Sequence, residues 1–173
     1  VLHTQLAELG VLGTLVPETH GGNGLSFLDA MLVCEELGRA AAPGAFLSTG
    51  VLAALALRDC GNAPLAKEVL PEIAAGRTRF GVGLAESYAA RDGAGVRLER
   101  GRLEGTALFA LDAVDADRLL VHCAGGLALV SAASGGVEIV PLDSVDRTRR
   151  ICELRLRSVE PTALIEGLIA LAK

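Results

Sequence analysis

The residue types able to act on a substrate are scattered through this 173-residue chain rather than gathered. His3, His20 and His122 stand at no ligand spacing from Cys, Asp or Glu, and a zinc site needs three or four convergent ligands. Solvated or hydrogen-bonded histidines are expected instead. Asp112, Asp115 and Asp117 form an acidic cluster that lacks calcium-loop spacing and its closing Glu, so it reads as a solvated loop before a strand. Gly81-Val-Gly83 follows an expected strand, yet residue 86 is Glu and no helix is expected to open there, so a dinucleotide fingerprint is not met. The chain has no G-x-x-x-x-G-K-[ST] and no G-x-S-x-G. Arg147, Arg149 and Arg150 could meet a phosphate bidentately, although a charged lead-in to a strand is the commoner use of such a cluster. Cys34, Cys60, Cys123 and Cys152 lie far apart with no C-x-x-C pair, which predicts free thiols and the cytoplasm as compartment. Taken singly, these residues supply no catalytic constellation.

The elements that would position them change character along the chain. Leu2, Leu6 and Leu9 recur at helical spacing up to Gly10, a C′ glycine. Pro17 to Gly24 holds three glycines and a proline and reads as a loop. Ser26 and Asp29 have capping-box spacing for a helix running to about Ala40. That helix is apolar on nearly every face and is expected to be buried on several sides. After the break at Ala42-Pro43-Gly44, Ser48 could cap a segment from Val51 to Arg58, and a last helix from Pro64 to Ala75 is expected to be interrupted at Pro71.

From Arg77 the period becomes that of strands. Arg79 to Glu86 alternates and carries glycine, as a strand with close backbone approach would. Val96–Glu99 and Leu103–Ala110 flank Arg100-Gly101 as a hairpin. Short apolar runs follow at Arg118–Cys123, Leu127–Ser131 and Val137–Pro141. Ile151–Val159 puts Cys152, Leu154 and Leu156 on one face and Glu153, Arg155 and Arg157 on the other. A helical pattern is read again from Thr162 through Leu171. The fold class is therefore α+β: a helical domain over 1–77, a small antiparallel β-barrel-like or sandwich domain over 78–160, and the opening of a C-terminal helical region over 161–173.

Composition bounds the partners. Hydrophobic residues make up 51% of the chain while aromatics make up 3% and Trp is absent, so the core must be built from Leu, Val and Ala. Small aliphatic side chains bury little area each, at roughly 25 cal/mol per Å², which predicts reliance on neighbouring domains or subunits. A net charge of −5 and a pI near 5.2 argue against nucleic acid or an anionic membrane as partner. No apolar run reaches membrane-spanning length, and no signal peptide is expected at the Val-Leu-His-Thr start.

Several stretches together resemble the acyl-CoA dehydrogenase family. Leu9 to Glu18 followed by Gly21-Gly-Asn-Gly24 is similar to that family's first-domain helix end and glycine loop, and Leu28 to Arg39 resembles the helix after it. Leu103-Glu-Gly-Thr106, Ala116 to Val121 and Asp146 to Arg150 look like its middle-domain hairpin and later strands. The resemblance implies a helical domain, a β-barrel-like domain and a C-terminal four-helix bundle. It implies oxidation of an acyl-CoA thioester across Cα–Cβ, with FAD as hydride acceptor and a glutamate as base. That glutamate usually lies in the bundle, so no residue of this chain is assigned as catalytic.

Carried over position by position, the resemblance makes Leu84, Ala85, Glu86, Phe109, Ala110 and Leu111 the flavin-binding candidates, and Ser87, Arg91 and Asp92 the substrate or phosphate contacts. The family's Thr-Glu-Pro stands here as Ala85-Glu86-Ser87, and its Gly-Ser-Asp as Ala90-Arg91-Asp92. Its aromatic-Ile-Thr stands as Phe109-Ala110-Leu111, so two hydroxyls are replaced by apolar groups. Arg91 could pair with a phosphate in compensation. Three readings follow: the front of an FAD-dependent enzyme, a degenerate partner subunit of a heteromeric one, or a non-enzymatic acyl-binding or structural relative. The implied partners are an acyl-CoA substrate and a homo- or hetero-oligomer with another such subunit, with no nucleic acid, membrane or metal.

Overall fold

A computed structural model describes residues 2–88, 91–123 and 125–166. The chain forms two compact units, Val1–Arg79 with Asp146–Arg149, and Phe80–Val145 with Arg150–Lys173. The tetrapeptide Asp146–Arg149 thus belongs with the helices although it lies among the strands in sequence.

The helical unit opens with α1 (Leu2–Glu8), which stops where Gly10 takes a φ of 74°. A short 3₁₀ turn at Glu18–His20 lies inside the glycine loop. Helix α2 spans Phe27–Arg39 and starts in the expected capping box: the Ser26 hydroxyl accepts from the Asp29 N–H, and the Asp29 carboxylate accepts from the Ser26 N–H at 2.8 Å. Its burial departs from expectation. Ala30 is its one buried residue, while Phe27, Leu28, Met31 and Leu32 are exposed.

Phe46–Ala53 is a π-helical stretch that continues as α3 (Ala54–Arg58). Ser48 is not a cap; it is buried inside this stretch, and its hydroxyl donates to the Ala45 carbonyl. A Cβ on Gly50 would come within 2.9 Å of the Phe46 ring, so a bulky side chain four residues after Phe46 has no room. Helix α4 (Ala63–Ala74) is capped by the Asn62 side chain and runs unbroken through Pro71. Pro71 lies in the last turn, where it removes a single backbone bond, and the fully buried Val69, Leu70 and Ile73 hold the helix on both sides of it. The helix ends at Gly76, φ 66°, with the Arg77 N–H bonded to the Glu72 carbonyl.

The strand unit is one eight-stranded sheet: β1 (Phe80–Gly83), β2 (Gly95–Glu99), β3 (Arg102–Leu111), β4 (Arg118–Cys123), β5 (Gly126–Ser131), β6 (Val137–Pro141), β7 (Ile151–Val159) and β8 (Ala163–Glu166). Its order is β6-β7-β3-β1-β4-β5-β8, with β2 hairpinned onto β3. All pairs are antiparallel except β1 with β4, where the intervening hairpin supplies the long crossover that parallel neighbours require. The α+β class therefore stands.

Core side chains come from alternate positions: Leu119, Val121 and Cys123 on β4, Ala128 and Val130 on β5, Cys152, Leu154 and Leu156 on β7. Along β7 the Glu153, Arg155 and Arg157 side chains point the other way, as the pattern required. Gly81 is where backbones approach, since a Cβ there would lie 2.6 Å from the Ala113 Cα. Two expectations fail in this unit. A short helix, α5 (Ala85–Tyr88), does follow β1. The helix read from Thr162 is instead strand β8, paired with β5 from Leu129↔Ala163 to Gly126↔Glu166. Ala-Leu-Ile-Glu is too short for periodicity to tell the two apart, and the open edge of β5 decides the matter. The remainder of that expected helix, and Ala90, lie outside the described residues.

Candidate functional site

The flavin candidates meet at one end of β1. Strands β1 and β3 pair antiparallel with Val82 opposite Leu111, so the chain leaving β1 through Leu84, Ala85 and Glu86 passes beside Phe109, Ala110 and Leu111. The sheet brings these six residues together from segments distant in sequence.

The local geometry is set by a bulge. On β7, Leu154 pairs with Ala107 and Cys152 pairs with Ala110, so Leu108 and Phe109 together oppose the lone Glu153. Both alanines are fully buried. Strict alternation would put Ala107 and Phe109 on the same face; the extra residue lets Ala107 and Ala110 share the core and turns Phe109 outward. Phe109 has a φ of 55° and is 47% exposed. A left-handed conformation at a bulky residue costs about 1–3 kcal/mol.

Two side chains from beyond β1, Glu86 on α5 and Arg91, hold this strained point. The Glu86 carboxylate accepts the N–H of Leu108, the first bulge residue, at 2.8 Å. A hydrogen bond to a charged group contributes about 1.5–3 kcal/mol, the low end applying at a half-buried position. That is the scale of the strain it offsets. The Arg91 guanidinium lies 5.2 Å from the centroid of the Phe109 ring, a cation–π distance.

Each candidate can then be placed. Leu84, Ala85 and Leu111 are half-buried and apolar, and Ala110 is in the core, so only its main chain could reach a ligand. Glu86 spends a carboxylate oxygen on the protein backbone. Arg91 stacks on Phe109, and Asp92 is exposed beside it in sequence. The side-chain placement of Ser87 lies outside the described residues. Against an isoalloxazine the described side chains offer an apolar platform of Leu84, Phe109 and Leu111, with main-chain groups beside it to meet a polar edge. They fit a flavin ring by contact and main chain.

The other clusters resolve into structure. Asp115 is ion-paired with Arg150, and the Asp117 carbonyl accepts the Ala132 N–H, so the acidic cluster serves the fold. The basic cluster is divided, because Arg147 and Arg149 belong to the helical unit and Arg150 to the strand unit. In the helical unit, Cys34, Leu37, Phe46, Leu47, Asp146 and Arg149 line a cavity of about 330 Å³. Asp146 accepts from the Thr148 N–H and hydroxyl, and these bonds hold its carboxyl below the usual carboxylate range. Burial pushes the Cys34 thiol up. Among the described residues no group of His, Cys, Asp or Glu could hold a metal, and no helix is long and apolar enough to cross a membrane.

Sequence reasoning missed the Leu108 amide as a partner and the bulge itself. The signal was present: two small core residues, Ala107 and Ala110, spaced by three rather than two.

Comparison with known proteins adds the following. Residues 1–77 match the model of the acyl-CoA dehydrogenase N-terminal domain. The chain is 33% identical over 141 residues to the mitochondrial isovaleryl-CoA dehydrogenase of Pongo abelii, covering 76% of this chain and 33% of that protein. Among solved structures it is 34% identical to the Tcur3481-Tcur3483 steroid ACAD, with a TM-score of 0.82 over 98% of this chain and 48% of the other. It is 26% identical to a glutaryl-CoA dehydrogenase from Mycobacterium smegmatis in complex with FADH2, with a TM-score of 0.79 and the same coverage. The chain spans a third to a half of the length of these relatives.

Proposed function

We propose, for a chain that belongs to the acyl-CoA dehydrogenase family, that it supplies the strand platform and the helical layer of an FAD-dependent dehydrogenation of an acyl-CoA thioester. The observation that carries this reading is the convergence of Leu84, Ala85 and Glu86 with the outward-turned Phe109 at one end of β1. Bound FAD would supply the hydride acceptor that no side chain can be. The chain's own contribution is to cover the ring with Leu84, Phe109 and Leu111, keeping water from it, and to meet its polar edge with main-chain groups. Proton abstraction is assigned to no residue of this chain. Its subunits are proposed to work as a homo- or hetero-oligomer.

A second reading is favoured by Ala85 and Leu111, where hydroxyls would bond the cofactor. In it the chain is a partner subunit that shapes a neighbour's site and holds little flavin itself. Each lost side-chain bond is worth about 1 kcal/mol. The two readings separate on one measurement, FAD retention by purified protein, read from flavin absorbance. Under the first, the wild-type chain retains flavin and the double variant Ala85→Thr, Leu111→Thr retains it about tenfold or more tightly, two bonds' worth. Absence of flavin from both proteins, with a second dehydrogenase-like chain co-purifying, would transfer the conclusion to the partner reading.

A further inference from the structure

Glu86 on α5 and Arg91 beyond it meet the bulge of β3 at two consecutive residues. The Glu86 carboxylate takes the Leu108 N–H across 22 positions of sequence, and the Arg91 guanidinium covers the ring of Phe109. Between those two contacts lies the left-handed backbone of Phe109. We propose that Glu86 is a positioning residue, whose task is to fix the aromatic platform through the Leu108 amide rather than to touch a ligand itself.

Three observations converge on this assignment. Leu108 sits where the β3–β7 register shifts, and like every backbone N–H its amide needs a partner. The carboxylate provides one at a normal hydrogen-bond distance, 2.8 Å, from the segment that runs alongside. The residue displayed by this arrangement is a half-exposed aromatic, in a unit whose large core residues are almost all aliphatic. The bond falls on Leu108, the first of the two bulge residues, directly before Phe109. The assignment rests on the platform reading of Phe109 given above, but not on a flavin being bound.

The chain contains no Trp, so Phe109→Trp places a sole indole at the platform. Emission maximum and iodide quenching would be measured for that protein alone and combined with Glu86→Gln, Glu86→Asp or Glu86→Ala. Leu108 amide exchange would be measured in the same Glu86 variants with Phe109 retained. Glutamine keeps an acceptor oxygen at the same reach; aspartate is one methylene short; alanine has none. The expected result is unchanged emission and exchange in E86Q. In E86D and E86A, quenching should rise by about twofold as the ring loses its fixed seat, and the Leu108 amide should exchange about tenfold faster, as loss of one such bond implies.

The proposal is overturned if E86D and E86A match E86Q in both readouts. Should E86A lose its circular-dichroism signal, the E86D and E86Q pair decides alone. Adding FAD to the indole-bearing proteins keeps the two claims apart. If FAD quenches none of them while E86D still disturbs the indole, the cofactor reading fails and the role of Glu86 stands. If FAD quenches all equally and Glu86 variants leave indole and amide unchanged, the cofactor reading stands and the role of Glu86 fails.

Discussion

Phe109 and Gly81 are two places in the strand unit where the backbone conformation or the available volume restricts the side chain. At Phe109 the backbone is strained, and Glu86 offsets the strain from outside the strand. At Gly81 the constraint is space: an added Cβ would meet the Ala113 Cα at 2.6 Å and the Leu119 Cδ2 at 2.9 Å. The first of these is backbone and cannot rotate away, so Gly81→Ala should destabilise the strand unit by about 1–3 kcal/mol. Denaturant unfolding followed by far-UV circular dichroism measures it, and an unchanged midpoint would show that β1 and the Ala113 turn can part without cost. The two functional readings also divide at this scale. Ala85 and Leu111 are legible in sequence as lost hydroxyls, whereas the commitment of Glu86 to Leu108 was not, because it depends on a bulge.

Among the elements, α2 shows most clearly how local chemistry and packing can disagree. Its start was readable from the spacing of Ser26 and Asp29, since a capping box needs only neighbours in sequence. Its burial was not readable, because apolar composition cannot say whether anything covers it. Ser26→Ala should cost about 1 kcal/mol, seen as a lower unfolding midpoint. Bonds from the Ser26 hydroxyl and N–H hold the Asp29 carboxyl below its ordinary value. A folded-state pKa below the unfolded one gives stability that is present above the unfolded value, about 3.9, and is lost as pH falls through the folded one. Acid titration of wild type should show this loss, and Asp29→Asn should flatten that part of the curve. Identical acid limbs in the two proteins would remove Asp29 from the acid response. The misreadings of Pro71 and of residues 163–166 share a cause: a helix or strand is completed by tertiary neighbours, buried side chains in one case and a free strand edge in the other.

For the molecule as a whole, chain order and spatial grouping part company at Asp146–Arg149, which belongs with the helices. Seven of the eight strands could be read from alternation or from short apolar runs between turns, but not this return, since four polar residues carry no period. The tetrapeptide lines the cavity that also contains Cys34, and burial raises that thiol. A chain shortened to residues 1–79 loses this cover together with the Arg149 charge that opposes the rise; burial being the larger effect, Cys34 should alkylate faster there than in the full chain at neutral pH. Mass spectrometry of the Cys34 peptide measures the ratio. Equal rates in a fragment shown to be folded would mean that the tetrapeptide shields nothing.

Strand β8 has a practical consequence. With Ala163–Glu166 seated on β5, Gly126 to Leu129 are zipped on both sides, by β4 and by β8. A gene product clipped at Pro161 would leave the outer N–H and C=O groups of that greasy tetrapeptide dangling, a ready template for another molecule's strand. Preparations trimmed at that seemingly natural boundary should clump, and those extended a few residues further should stay dispersed.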